Sequence, residues 1–299
     1  MQHVSLLEFK AYRHFKLSSA LMGLAILAYL LDKPATKPYG GTLLGYTLGV
    51  AASCIVLILL FYGIRKRLTP RLQKVGAEPK KRRLIRARRD GRRTGFTLQE
   101  WLSSHIYWGA SLIVLATLHA GFQFGWNLHT LSYVLMMLVI FSGFYGTYAY
   151  LQFPRLVTEN MGEDTLPGLL AKIDHYDQLA AVSSLQFPDE ICDLVAIARQ
   201  ETRIGGSILE QLSGRQKNCP TSLAVHQLQG MGKGFDGEQL KTFHDLYSIM
   251  AHKEAAVMRA RRDVMFKARL DIWLYFHAPL SIAFLVALLT HILAIFFYW

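Results

Sequence analysis

Hydrophobic residues run in long, uninterrupted stretches along this chain. No Asp, Glu, Lys or Arg occurs from Leu102 to Pro154, or from Ile272 to Trp299. These stretches are longer than the core helices of water-soluble domains, whereas a helix that crosses the hydrocarbon core of a bilayer needs about 20 apolar residues. The pattern predicts an all-α, polytopic membrane bundle of five spans, at residues 17–31, 42–64, 102–124, 128–153 and 272–297.

The spacing of the spans predicts how the chain is organised. Residues 1–153 hold spans one to four with a loop at 65–100, residues 154–271 form an insert, and residues 272–299 hold span five. Only three residues separate spans three and four, which predicts a tight antiparallel hairpin. Apolar residues recur every three or four positions in the insert, so we expect helices at 166–185 and 189–212, the second interrupted by Gly205 and Gly206. We also expect one long helix at 238–271 that leads into span five.

Basic residues predict the orientation. The chain of 299 residues carries a formal net charge of +12, and the loop at 65–100 alone holds 14 Lys and Arg. Lys and Arg accumulate on the cytoplasmic side of spans. We therefore expect an integral protein of a bacterial inner membrane with a cytoplasmic N-terminus, a cytoplasmic insert and an outer C-terminus. A basic loop this close to two spans is a topology signal that contacts anionic lipid, not a nucleic-acid site.

Four histidines lie inside the predicted spans. His105 and His119 lie on span three, and His277 and His291 lie on span five. Each interval is 14 residues, close to four helical turns, so the two rings of a helix share one face about 21 Å apart. Because the two spans run in the same direction, His105 and His277 share one depth (the inner pair) and His119 and His291 share the other (the outer pair).

Two imidazoles facing each other at each depth predict two b-type haems. Histidine is a common axial ligand of haem iron, so His105 and His277 would hold the inner iron and His119 and His291 the outer iron. The cysteines form no CxxC, so we expect no iron–sulfur cluster and no covalently attached haem. A site with two metal ions is disfavoured because no Asp, Glu or Cys lies near these positions.

Three alternatives stay open from the residues alone. A buried histidine can hydrogen-bond a neighbouring helix or relay protons, so a membrane scaffold or transporter without haem is a different class of function. A cytochrome that reacts with quinone is another function within the haem class. His129, at the outer end of span four, is a rival ligand for the outer iron, or a residue that lies near a haem propionate.

The segments HIYWGASLIVLATLH and HAPLSIAFLVALLTH, which begin and end on the four histidines, resemble the transmembrane cytochrome b domain of the ferric reductase and NADPH oxidase superfamily. The resemblance implies two haems held by histidine pairs on the third and fifth spans, and electron transfer across the membrane. The chain differs from that family in its large insert and in ending with span five. We therefore expect no sixth span and no flavin module, but a cytochrome b subunit that depends on a separate redox partner.

Small residues also follow a pattern. Gly41, Gly45 and Gly49 recur at every fourth position of span two. Small residues at this spacing let helix backbones approach each other in a membrane. We therefore expect span two to pack closely against a neighbouring helix.

Overall fold

A computed structural model describes residues 12–32, 39–74 and 98–298, with the side chains of 64–74, 98–99 and 298 left aside. Within these residues the regular elements are all helical. In chain order they are α1 Arg13–Leu31, a 3₁₀ turn Tyr39–Gly41, α2 Leu43–Lys74, α3 Leu98–Ala120, α4 Leu128–Met161, α5 Leu166–Ser184, α6 Asp189–Glu201, α7 Ile208–Ser213, α8 Pro220–Met231, a 3₁₀ turn Gly232–Gly234 and α9 Gly237–Tyr298.

Five of the described helices are long and apolar enough to cross a membrane, which confirms the predicted number of such helices. They are α1, α2, α3, α4 and α9. The predicted extent of the basic loop, 65–100, was partly wrong, because residues 65–74 continue α2. Lys, Arg and Leu all favour the helical conformation, so the change from apolar to basic sequence does not end the helix. Residues 75–97 lie outside the described part of the chain.

The end of α3 differs from the sequence prediction. The helix stops at Ala120, four residues before the predicted end of span three, so residues 121–127 form the connection to α4. Gly121 and Phe122 both adopt left-handed backbone conformations, with φ of 57° and 59°. A right-handed helix cannot continue through such residues. His119 is therefore the last residue but one of α3.

The described parts of Met1–Thr147 and Phe276–Trp299 form one compact unit, which we call the first unit. Its core is an apolar cluster centred on Leu112, Leu115 and Leu118 of α3. These residues follow one another at three-residue intervals and are each less than 7% exposed. They face α1 and α2, against which α3 makes most of its helix contacts. This central position of α3 places both of its histidines inside the unit.

Tyr148–Tyr275 forms the second unit, which includes the predicted insert. Its helices begin where local chemistry favours a start. The Thr165 side chain accepts a hydrogen bond from the Gly168 amide at the first turn of α5, and Ser207 forms a capping box with Glu210 at α7. The predicted helix at 189–212 is interrupted by Gly205 and Gly206, both at positive φ.

The predicted long helix at 238–271 is confirmed, since α9 runs for 62 residues from Gly237 to Tyr298 and includes Pro279. In the second unit, this helix packs with α5, α6 and α8 around a core that contains Phe187, Phe243 and Met250. The rings of Phe187 and Phe243 meet edge to face at 5.7 Å. Aromatic pairs prefer this arrangement because a positive ring edge faces a negative ring face.

Candidate functional site

Three histidines from three helices meet in the first unit. His119 lies at the end of α3, His129 is the second residue of α4, and His291 lies on α9. Their ring centroids are 5.3 Å apart for His119 and His129, 4.9 Å for His129 and His291, and 6.4 Å for His119 and His291. One possible ligand atom from each ring lies within 4.8 Å of the other two. We call these residues the outer histidine cluster.

A backbone carbonyl orients the His119 ring. Nδ1 of His119 lies 2.7 Å from the carbonyl oxygen of Gly45 on α2. A carbonyl oxygen can only accept a hydrogen bond, so Nδ1 carries the hydrogen and donates it. In a neutral imidazole the other nitrogen then holds an unprotonated lone pair. The contact therefore leaves Nε2 of a neutral His119 as the nitrogen that could bind a metal.

Gly49, the last residue of the glycine repeat, leaves space for the His119 ring. A Cβ added to Gly49 would lie 2.7 Å from Cε1 of His119, closer than two carbon atoms can approach, whereas one added to Gly41 meets nothing within 4 Å. The sequence predicted that these glycines would allow helices to pack closely. The structure shows a more specific reason at Gly49. There the imidazole of His119 occupies the space that a side chain would fill.

A buried tyrosine holds the same end of the bundle. Tyr39 is 1% exposed, donates its hydroxyl hydrogen to Asp32 Oδ2 at 3.1 Å and donates its amide to Gln123 Oε1 at 3.2 Å. Burial and the neighbouring Asp32 carboxylate raise the pKa of Tyr39 to about 12, so the phenol stays neutral. A Cβ on Gly121 would lie 2.6 Å from Cβ of Tyr39. Tyr39 therefore fixes the connection that follows His119.

A cavity of about 250 Å³ adjoins the outer histidine cluster. Its walls come from α2, α3, α4 and α9 and are mostly apolar, with Leu112, Met136, Phe284 and Leu288 among them. Sites for organic cofactors have this character, with apolar walls and a few polar groups that fix orientation. The possible metal ligands in its lining are the three imidazoles and the free thiol of Cys54.

In the inner pair, His277 also contacts a protein oxygen through its Nδ1 atom. Nδ1 of His277 lies 2.7 Å from Oγ of Ser142, and that hydroxyl donates its hydrogen to the Val139 carbonyl at 2.8 Å. A hydroxyl has one hydrogen, so both contacts form together when Ser142 accepts from Nδ1 of His277. Nε2 of His277 is then the unprotonated nitrogen, as it is in His119. His105 packs its ring against Tyr62 at a centroid distance of 5.0 Å.

Of the predicted histidines, the structure brings His119 and His291 together, and the rival ligand His129 joins them. His105 packs against Tyr62 on α2, and His277 contacts Ser142 on α4. The pairing of His105 with His277 stays a prediction. Sequence reasoning did not identify the Gly45 carbonyl or Ser142 as orienting groups. The glycine repeat indicated a close approach near Gly45, whereas nothing in the sequence distinguishes Ser142 from the other serines of the spans.

The donor set and its surroundings fit a b-type haem. Haem iron takes neutral imidazole nitrogen as an axial ligand, and the bond to Gly45 makes Nε2 that nitrogen in a neutral His119. The cavity beside the outer histidine cluster has the apolar walls of a haem site, and the His119 ring occupies the space that a side chain at Gly49 would fill. A haem bound here would take His119 and His291 as its axial ligands.

Comparisons of the chain with protein-family models, with curated proteins and with solved structures found no match. The chemistry of the histidines and their neighbours is therefore what indicates a function.

The cradle at Gly49 gives a direct test. We expect Gly49→Ala to displace the His119 ring, because the new methyl group would overlap Cε1 of that ring. A haem held by His119 should lose its low-spin absorption, while a haem held by His105 and His277 should keep its own. The measurement is the reduced-minus-oxidised visible spectrum of the purified variant. Gly41→Ala, in the 3₁₀ turn that precedes α2, is the control and should leave both spectra unchanged, because an added Cβ there meets nothing within 4 Å. Equal spectra for the two variants would contradict the expectation.

Proposed function

We propose that this protein is a dihaem b-type cytochrome that carries electrons across a membrane as a subunit of a larger redox complex. The observation that carries the proposal is the hydrogen bonding of His119 and His277. Nδ1 of His119 donates to the Gly45 carbonyl, which can only accept, and Nδ1 of His277 donates to Ser142 when that hydroxyl donates to the Val139 carbonyl. Each neutral ring would then present Nε2 as a ligand. Histidines that ligate metals almost always donate their second nitrogen in this way, because the bond fixes the ring and raises its basicity.

The haems would supply one-electron chemistry, and the chain supplies their positions. His105 and His119 lie on one continuous helix, and His277 and His291 lie on another. A 14-residue interval on a helix separates the two depths by about 21 Å, which is about two thirds of the hydrocarbon thickness of a bilayer. Apolar side chains around the rings exclude water, and a polar ligand in such surroundings is retained for a function. Two redox centres at these depths would form a route from one face to the other.

The function is tested by the colour and haem content of the purified protein. We expect two haems per chain, sharp absorption bands after reduction, and complete release of haem into acidified acetone, since no CxxCH anchors it. A ratio of one haem per chain would reject the second site. A colourless protein that is correctly folded would favour the proton-relay or scaffold alternative instead.

The orientation proposed from the basic residues has its own test. Cysteines introduced at Arg88, which lies outside the described residues, and at Gly232 should react with a membrane-impermeant reagent from the cytoplasmic side only. A tag after Trp299 should be accessible from the opposite side, because the five proposed spans, an odd number, would separate the termini. If the C-terminal tag reports the same compartment as Gly232, the inner and outer pairs are not matched in depth.

We also propose that the second unit binds the separate redox partner. Val182, Leu185, Ile208 and Leu209 are each more than two thirds exposed there, although the unit has a well-packed core of its own. Large apolar side chains on the surface of a folded unit are typical of interaction sites. The donor or acceptor protein would then meet the cytochrome on its cytoplasmic face.

A further inference from the structure

The outer histidine cluster contains one more imidazole than a haem iron uses. His129 Nδ1 lies 3.4 Å from His291 Nε2, which is long for a hydrogen bond between two nitrogens. The His129 ring also lies between the other two, with centroids 5.3 Å from His119 and 4.9 Å from His291. Three basic nitrogens in half-buried, apolar surroundings are stabilised by a cation that all three can ligate.

The separations fit one small ion. A zinc-class ion binds imidazole nitrogen at about 2.0–2.1 Å, so two ligands at a tetrahedral angle are roughly 3.3 Å apart. The 3.4 Å between His129 and His291 is such an edge. The ligand atoms of all three residues lie within 4.8 Å of one another. Small side-chain rotations would therefore shorten the two distances from His119 to about the same value. In the neutral His119 ring, the bond from Nδ1 to the Gly45 carbonyl leaves the lone pair on Nε2.

The donor set selects the class of metal. Among the described residues the cluster consists of histidines only. Imidazole suits Zn²⁺, Cu²⁺, Ni²⁺ and Co²⁺, whereas Mg²⁺ and Ca²⁺ require oxygen ligands. Three histidines leave a fourth position of a tetrahedral ion open. Here the adjoining cavity supplies space for a water or another small ligand at that position.

We propose that His119, His129 and His291 bind a divalent transition-metal ion of the zinc and copper class when the outer haem is absent. His129 is the residue that distinguishes the two occupants, since the ion needs it and the haem does not. Because the ion and the haem share His119 and His291, each excludes the other. That exclusion rests on the proposed function, whereas binding of the ion to the haem-free chain does not.

The test is a titration of the full-length protein, produced without haem and purified in detergent, with Co²⁺ as a coloured substitute for Zn²⁺. We expect one Co²⁺ per chain with the intense visible absorption of a tetrahedral site, displaced by Zn²⁺. His129→Ala should weaken binding by at least about 100-fold, because losing even an outer-shell partner costs 10–100-fold. His226→Ala, at an exposed histidine of α8 in the second unit, is the matched control and should bind as the original chain does. Circular dichroism verifies the helical fold of each variant.

Several results would overturn the proposal. Folded, haem-free protein that binds no Co²⁺ lacks the site, and His129→Ala protein that binds as tightly as the original uses other ligands. Protein loaded with two haems should take up no Co²⁺ at this site. Uptake there with an unchanged haem spectrum would contradict the exclusion. Failure of the haem test alone leaves the Co²⁺ result standing, so the two proposals are separately testable.

Discussion

Replacing His119 with alanine should remove the low-spin signal of one haem and leave the other intact. A six-coordinate iron with two imidazoles loses an axial bond when either ring is removed. The Gly45 carbonyl also loses the N–H that it accepts from His119. Haem per chain should fall from two towards one, and electron paramagnetic resonance should show the loss of one low-spin species. A remaining five-coordinate haem would appear as a high-spin signal.

The partner variants determine the pairing. His291→Ala should reproduce the defect of His119→Ala, whereas His105→Ala and His277→Ala should share a different one. His129→Ala is the control at the outer level and should keep both low-spin signals. If the defect of His119→Ala is instead reproduced by His129→Ala and not by His291→Ala, the outer haem lies between α3 and α4. The inner pair would be unaffected by that result.

Replacing Lys253 with methionine should strongly destabilise the second unit. The Lys253 side chain is 1% exposed, and its Nζ donates to Asp177 Oδ1 at 2.5 Å and to the Ala198 carbonyl at 2.8 Å. The variant would leave the Asp177 carboxylate, itself only 12% exposed, without its cation. Breaking a buried ion pair from one side costs about 3–5 kcal/mol. Hydrogen exchange of the full-length protein should show opening of α5 and α6 at least 100-fold more often.

Two controls separate charge from packing. The variant Asp177→Leu with Lys253→Met removes both partners and should recover most of the stability, because a buried pair can be replaced by apolar residues at little cost. Arg155→Ala breaks an ion pair with Glu159 in which the Arg155 side chain is 77% exposed and the Glu159 side chain is 54% exposed. It should change the free energy of unfolding by less than about 1 kcal/mol. Equal exchange rates for Lys253→Met and Arg155→Ala would show that the buried pair contributes little.

The sequence by itself determined the helices and the spacing of the four histidines. Five apolar helices could be predicted because a charge-free run of sufficient length is a local property, and α9 could be predicted from its continuous periodicity. The 14-residue intervals are equally local, since a regular helix converts a difference in number into a rise and a face. The end of α3 could not be predicted so well, because it depends on left-handed residues held against Tyr39.

Only the tertiary structure decided which groups surround each histidine. His119 meets a carbonyl 74 residues away, His277 meets a hydroxyl 135 residues away, and His129 meets His291 across 162 residues. These contacts depend on how helices rotate and approach one another, which no local pattern encodes. The glycine repeat illustrates the difference. Its spacing predicted close packing, but only the packed helices show that Gly49 is small because the imidazole of His119 occupies the space of a side chain.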